Sequence, residues 1–275
     1  MSHIEELEAR LEKLEREVQR QKDVKDCFEL MVKYQIYHHP MTAMEKGKIF
    51  ALSMPDVSME VSKWGKYVGG DAIMFLQKIF TTAPLNGVMW NHNVDSPIIE
   101  IAGDGQTAKG LFFSPGAEAH REPALDGKVH AYWCWGKYTV DFIKENGEWK
   151  IWHLHWWRSF RNDFYKSWVD DAETTLTKAP WEGQKSVEAE TQNGPKLEPT
   201  TFFQYYDPNK VTPCIPWFPK PYDTWKEGEE DWVYGPFKDF WLNQKPYDEV
   251  FHFETIGDCP IYRLKDEMRK ELAEE

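Results

Sequence analysis

Residues 128–160 read KVHAYWCWGKYTVDFIKENGEWKIWHLHWWRSF. Apolar and polar side chains alternate with period two on both sides of Glu145-Asn146-Gly147-Glu148, and an Asn-Gly pair between alternating runs is a hairpin signal. One long antiparallel hairpin is predicted, 128–144 running out and 148–160 returning. Upstream, 88–102 runs to the tight-turn signal Gly103-Asp104-Gly105 and 107–114 returns from it, which makes a second hairpin. Residues 114–122 between the hairpins read as a polar loop carrying Glu118 and His120. On the N-terminal side, a helix runs through Phe28, Leu30, Met31 and Tyr34 until Pro40 stops it. Residues 41–53 and 70–80 also have helical periodicity, with a strand-like stretch at 57–68 between them. Helices precede strands and do not alternate with them, so the class is α+β: a curved antiparallel sheet packed on N-terminal helices, enclosing a cone-shaped pocket.

Three segments follow. In residues 1–25, Ile4, Leu7, Leu11, Leu14 and Val18 recur at spacings of three and four among Glu, Arg and Lys, a heptad seam too short to stand alone and therefore packed on a partner subunit or on its own domain. Residues 26–168 hold the helices and hairpins. Residues 169–275 change character: eleven of the 17 prolines lie from Pro180 to Pro260, among Trp181, Trp217, Trp225, Trp232 and Trp241. There, 183–198 reads as a linker, 200–262 as an aromatic extension wrapping the domain or a neighbouring subunit, and 263–275 as a charged terminal helix or tail.

The 275 residues are 41% hydrophobic and 29% charged, a folded composition that excludes collagen and low complexity. A net charge of −13 repels phosphate backbones and anionic bilayers, so neither nucleic acid nor membrane is an expected partner. No apolar run approaches the roughly 20 residues of a bilayer span, and the charged N-terminal stretch has no signal-peptide h-region, so a cytoplasmic protein is expected. Cys27, Cys134, Cys214 and Cys259 lie far apart and read as reduced thiols. With 14 Trp, 12 Tyr and 16 Phe, the chain has more aromatics than a core needs, which points to a flat apolar ligand or large aromatic interfaces.

Strand alternation places Trp152, Leu154, Trp156 and Arg158 on one face of 148–160, and Ile151, His153, His155 and Trp157 on the other. An arginine ending an aromatic face is costly to bury unless it meets an anion, a carbonyl or a developing oxyanion, which makes Arg158 a site candidate. Tyr34, Tyr37 and His38 share a face at a helix end, where a phenol and an imidazole can act as acid and base, with His39 beside them. His92 is an isolated imidazole on the first long strand. His153 and His155 could chelate one ion, yet His92, Glu118, His120 and His130 supply no recognisable ligand spacing, and no metal is expected. No Gly-rich phosphate loop, nucleophile elbow or zinc motif occurs, and no cofactor is expected.

The order of these features, a heptad helix leading to Lys33-Tyr34, then helices, then hairpins ending in Gly147-Glu148-Trp149-Lys150-Ile151, resembles the SnoaL-like branch of the NTF2-like superfamily over about residues 1–165. It is similar to the cofactor-free dehydratases of that branch, the bile-acid and scytalone dehydratases, and to the NTF2-like lyases that release formaldehyde from diarylpropanes. Tyr34 matches the tyrosine of the family's Lys-Tyr helix end, His92 the pocket histidine and Arg158 the arginine. The sequence departs from the pattern where the dehydratases carry aspartates: His39 stands at one such position and Gly116 at the other, with Glu118 near the second. The resemblance implies a cofactor-independent lyase, dehydratase or formaldehyde-releasing, acting on a hydrophobic phenolic or polycyclic molecule. His92 is the expected acid or base, Tyr34 with His38 or His39 holds the leaving oxygen, and Arg158 meets the anion. Trp133, Trp135, Trp152 and Trp156 are expected pocket walls, with Tyr37 and Glu118 lining it. The resembled dehydratases imply a homo-oligomer, a trimer before a dimer; the alternative function is a binding or interaction module without turnover.

Overall fold

A computed structural model describes residues 2–61, 65–82, 86–121, 127–170, 206–208, 212, 214–226, 232–235 and 238. The chain divides into two compact units, Met1–Val233 and Tyr234–Glu275. The predicted linker at 183–198, the terminal segment at 263–275 and much of the aromatic extension lie outside the described residues.

Helix α1 spans His3–Ile36. Ser2 caps it: the Glu5 N–H donates to Ser2 Oγ at 3.3 Å, and the Ser2 N–H donates to Glu5 Oε2 at 2.7 Å, satisfying two otherwise unpaired donors. Its first five turns are exposed, and burial begins at Asp23 and continues through Cys27, Leu30, Met31 and Tyr34. Asp23 anchors the helix because buried carboxylates need donors: Trp149 Nε1 donates at 2.8 Å and Lys144 Nζ at 3.1 Å. Beyond Pro40, the expected helix over 41–53 shrinks to a 3₁₀ turn at Ala43–Lys48. The reason is competition for the backbone: the Ala51 N–H donates to Ile151 O, and Ile49 O accepts from the Ile151 N–H, both at 2.8 Å, so the chain leaves the helix to join the sheet.

The strand-like stretch forms a small hairpin, β1 (Ser58–Val61) and β2 (Lys66–Val68), followed by α2 (Gly70–Thr82) with Ile73 and Leu76 buried. The expected run at 88–102 divides into β3 (Met89–His92) and β4 (Asp95–Ile101); β5 is Thr107–Ser114. The predicted loop is instead a strand, β6 (Gly116–Arg121), pairing with β3 on one side and β7 on the other. Its alternation was invisible because the small alanines 117 and 119 flank a buried carboxylate at Glu118, reversing the usual polarity of the two faces.

The long hairpin is β7 (Val129–Glu145) and β8 (Glu148–Asp163). The sheet runs β2-β1-β8-β7-β5-β4, with β1 parallel to β8, and β6 and β3 extending it beside the first half of β7. β7 pairs with β6 over its first residues and with β5 from Gly136 onward, so one strand serves two neighbours and the sheet bends between them. Two register shifts in β8 leave one extra residue each, at Trp152 and at Ser159. The face toward α1 carries Tyr132, Cys134, Tyr138, Val140 and Phe142, opposite Leu154, Trp156, Arg158 and Arg161. This is an α+β cone. No described helix is long and apolar enough to cross a membrane.

Part of the aromatic extension is described, and it lies on the outer face of its own domain. Tyr222 O and Asp223 O accept from the Gly103 and Asp104 N–H groups at 2.8 and 2.9 Å, and Trp225 packs on Trp152 at a ring separation of 4.5 Å.

Candidate functional site

The C-terminal end of α1 meets the helix-facing side of the sheet in a group of rings. Tyr34 stands edge-on to Tyr138 at 5.7 Å, Tyr138 stacks on Trp156 at 6.2 Å, and His92 stands edge-on to Trp156 at 5.6 Å. His38, one turn after Tyr34, lies 6.0 Å from it and 5.2 Å from His92. Among these rings sit the polar groups. Lys46 Nζ donates to His38 Nδ1 at 2.9 Å and lies 4.5 Å above the Tyr34 ring. His92 Nε2 donates to Glu118 Oε1 at 3.0 Å, and Arg161 Nε donates to Glu118 Oε2 at 2.7 Å. Arg158 stacks over Trp156 at 4.8 Å and Arg161 over Tyr132 at 3.6 Å.

Burial sets the protonation states. The Lys46 ammonium, wholly enclosed, is pushed down to about 7 by desolvation. Burial also lowers His38 well below its usual value, helped by the neighbouring Lys46 and His92, so the imidazole is neutral at physiological pH. The Tyr34 phenol is raised by burial and by Tyr138, and stays protonated. The site therefore holds a lysine poised near neutrality, a neutral imidazole, a protonated phenol, a carboxylate–imidazole pair and two guanidiniums. His92, itself buried, borders a cleft of about 530 Å³ lined also by Val32, Gln35, Trp90, Val94 and Pro115, while His38 is the half-buried member of the group.

Of the residues expected from sequence, Tyr34, His38, His92, Glu118, Trp156 and Arg158 come together here. Glu118 puts its carboxylate against His92 while Gly116, two residues earlier in β6, lies under the imidazole: a methyl group there would stand 2.6 Å from His92 Nδ1. Tyr37 packs half-buried against the neighbouring core, and His39 is exposed, accepting from the Met41 N–H at 3.2 Å. Trp133 and Trp135 alternate with inward Cys134 and so face outward, stacking on Phe164 and Phe160. Trp152 is the bulge residue, so it leaves the pocket face, donates to Asp56 Oδ1 at 2.9 Å and stacks on His153 at 4.2 Å. These tryptophans do not wall the pocket.

Two members of the site were missed. Lys46 belongs to a segment whose periodicity reads as an amphipathic helix, where a lysine defaults to solvent. Strict alternation from Arg158 turns Arg161 outward; the extra residue at Ser159 brings it back opposite Cys134. Neither has a signal in the local sequence.

His153 and His155 lie on the outer face, apart from this group, around a cavity of about 80 Å³ shared with Glu60, Lys66 and Asp141. His153 Nδ1 contacts Asp141 Oδ2 at 2.9 Å, and burial pushes His155 down to about 4. Among the described residues, the donor atoms that approach one another closely enough to share a metal are those of His92, Glu118 and Cys134. The set suits a proton network better than a dication, since burial and Glu118 raise the Cys134 thiol and Arg161 already holds the carboxylate.

Residues 32–155 match the family model described as a SnoaL-like domain. Arg158 and Arg161 lie just beyond it. Among solved structures, the chain is similar to a candidate scytalone dehydratase from Novosphingobium aromaticivorans DSM 12444, with 13% identity, 58% of this chain and 96% of that chain covered, and a TM-score of 0.44. It is also similar to an NTF2-like superfamily protein from Salmonella enterica serovar Typhimurium LT2 (16% identity, 58% and 98% covered, TM-score 0.41). A third is the hexachlorocyclohexane dehydrochlorinase LinA-type3 from Novosphingobium barchaimii LL02 (14% identity, 56% and 96% covered, TM-score 0.42). No curated protein sequence matches the chain.

Proposed function

We propose that this protein is a cofactor-independent lyase that removes water or formaldehyde from a hydrophobic phenolic or polycyclic molecule. The observation that carries the reading is the part-buried hydrogen bond between Lys46 Nζ and His38 Nδ1, set beside the Tyr34 ring and facing the His92–Glu118 pair across 5.2 Å between the two imidazoles. Loss of water needs a base to take a proton, an acid to return one to the departing oxygen, and a cradle for the negative charge between those events; loss of formaldehyde needs the base to take the hydroxymethyl O–H proton, the pair of the broken C–C bond to pass to the cradled carbanion, and the acid to protonate that carbon. An amine poised near 7 is matched to proton transfer at neutral pH, and His38 beside it can relay the proton. Glu118 orients His92 through Nε2, and His92 delivers a proton to the leaving oxygen while the Tyr34 phenol hydrogen-bonds it. Arg158, over the Trp156 face, meets the developing enolate or phenolate. Trp90, Tyr138 and Trp156 give the flat apolar surfaces an aromatic substrate would contact.

Substituting His92→Ala tests the assignment. Turnover falls by roughly 10²–10⁴-fold with the far-ultraviolet circular dichroism unchanged; full activity in that variant removes His92 from the chemistry.

A further inference from the structure

The N-terminal half of α1 leaves Ile4, Leu7, Leu11, Leu14 and Val18 between 47% and 67% exposed, in one stripe along a helix whose burial starts only at Asp23. Five large apolar side chains in register are a seam awaiting a partner. In heptad positions, Ile4, Leu11 and Val18 are a, Leu7 and Leu14 are d. The flanks identify the partner. Glu8, Glu15 and Lys22 occupy e, while His3, Arg10 and Glu17 occupy g. In a parallel pair, each g residue faces the e residue five positions later on the other helix. With a second copy of this chain, Arg10 then meets Glu15, Glu17 meets Lys22 and His3 meets Glu8: every pairing is complementary. In an antiparallel pair g faces g and e faces e: with Leu7 on Leu11 this brings Arg10 towards Arg10 and Glu8 towards Glu8, and with Leu11 on Leu14 it brings Glu8 towards Glu15, so each register carries repulsion that the parallel one lacks. Within one helix, residues five apart do not touch, so the Arg10–Glu15 and Glu17–Lys22 pattern has no use inside the chain.

We infer that the first half of α1 forms a parallel two-stranded coiled coil with a second copy of this protein. Two strands follow from β-branched residues at two of three a positions and leucine at both d positions. The seam ends at Val18, one turn before the helix docks through Asp23 and Arg20, the latter donating to Glu100 Oε2 at 2.7 Å. A parallel coil therefore sets both SnoaL-like domains at the same end. At about two and a half heptads it is marginal in isolation, so its natural setting is the full chain.

Size-exclusion chromatography with light scattering on the full-length protein tests this. The wild type is expected at twice its 32.5 kDa mass, and Leu7→Glu with Leu14→Glu at the monomer mass. Arg10→Glu weakens the dimer about tenfold or more, and Arg10→Glu combined with Glu15→Arg restores it, because the swap re-pairs only if the partner carries the same helix in parallel. Circular dichroism checks that each variant retains its helix. A monomeric or trimeric wild type, a dimer unmoved by the leucine substitutions, or a charge swap that fails to restore association would each overturn the inference.

Discussion

Lys46 is the residue on which the chemistry and the stability of this protein pull in opposite directions. Its amine is enclosed and titrates near 7, against 10.5 in the unfolded chain. Between those values the folded state holds fewer protons than the unfolded state, so stability from this group rises with pH across about 7 to 10.5, and its full cost is present below 7. Lys46→Met, similar in shape and uncharged, is therefore expected to stabilise the fold by a few kcal/mol at pH 6, offset in part by the lost hydrogen bond to His38, with the gain shrinking towards pH 10. Urea titrations at the two pH values read this difference; equal gains would contradict it. The same variant is expected to lose about 10²-fold or more in turnover. Tyr34 was legible as a phenol at a helix end and Arg158 as a guanidinium ending an aromatic strand face, whereas His92 was singled out only through the family resemblance. Lys46 was not legible, since a lysine in a segment of helical periodicity looks solvated, and only the turn of the chain into the sheet at Phe50 buries it.

At the scale of elements, two single-residue bulges in β8 decide what faces the pocket. The long hairpin, the turn at Asn146-Gly147 and the α+β class were readable from period-two alternation. Its faces were readable only as far as the alternation is strict: the bulge at Trp152 sends that ring outward, and the one at Ser159 brings Arg161 inward to hold Glu118. β6 escaped notice for a related reason, as its inward residue is a carboxylate between alanines. The pairing of β6 with β3 also explains Gly116. Its Cα lies so close beneath His92 that an added methyl would meet Nδ1 at 2.6 Å and the Cys134 carbonyl at 3.0 Å. Gly116→Ala should therefore displace the imidazole from Glu118 and lower kcat by roughly 10- to 100-fold while leaving the sheet folded. Unchanged kcat would show that the position of His92 is not critical.

For the whole molecule, the charge of −13 and the aromatic surplus take on separate meanings. The negative field belongs to the surface, whereas the helix-facing side of the sheet buries Lys46, Arg158 and Arg161, the last of them holding Glu118. The tryptophans are divided between the pocket, where Trp156 and Trp90 meet the imidazoles, and the outer face, where Trp152 and Trp225 join the extension to the domain. That junction predicts that Trp225→Ala lowers stability by roughly 1–2 kcal/mol and the Tm by roughly 3–6 °C without affecting kcat. Differential scanning calorimetry checks the first part and steady-state kinetics the second. The central claim is that this pocket performs an elimination with its own side chains. Its most direct test is mass spectrometry of the purified protein incubated, without added cofactor, with phenolic diarylpropanes, polyketide-like phenols and hydroxysteroids. Loss of water or formaldehyde from one of these classes is the predicted result; binding of a compound, seen as quenched tryptophan fluorescence, with its mass unchanged would contradict it.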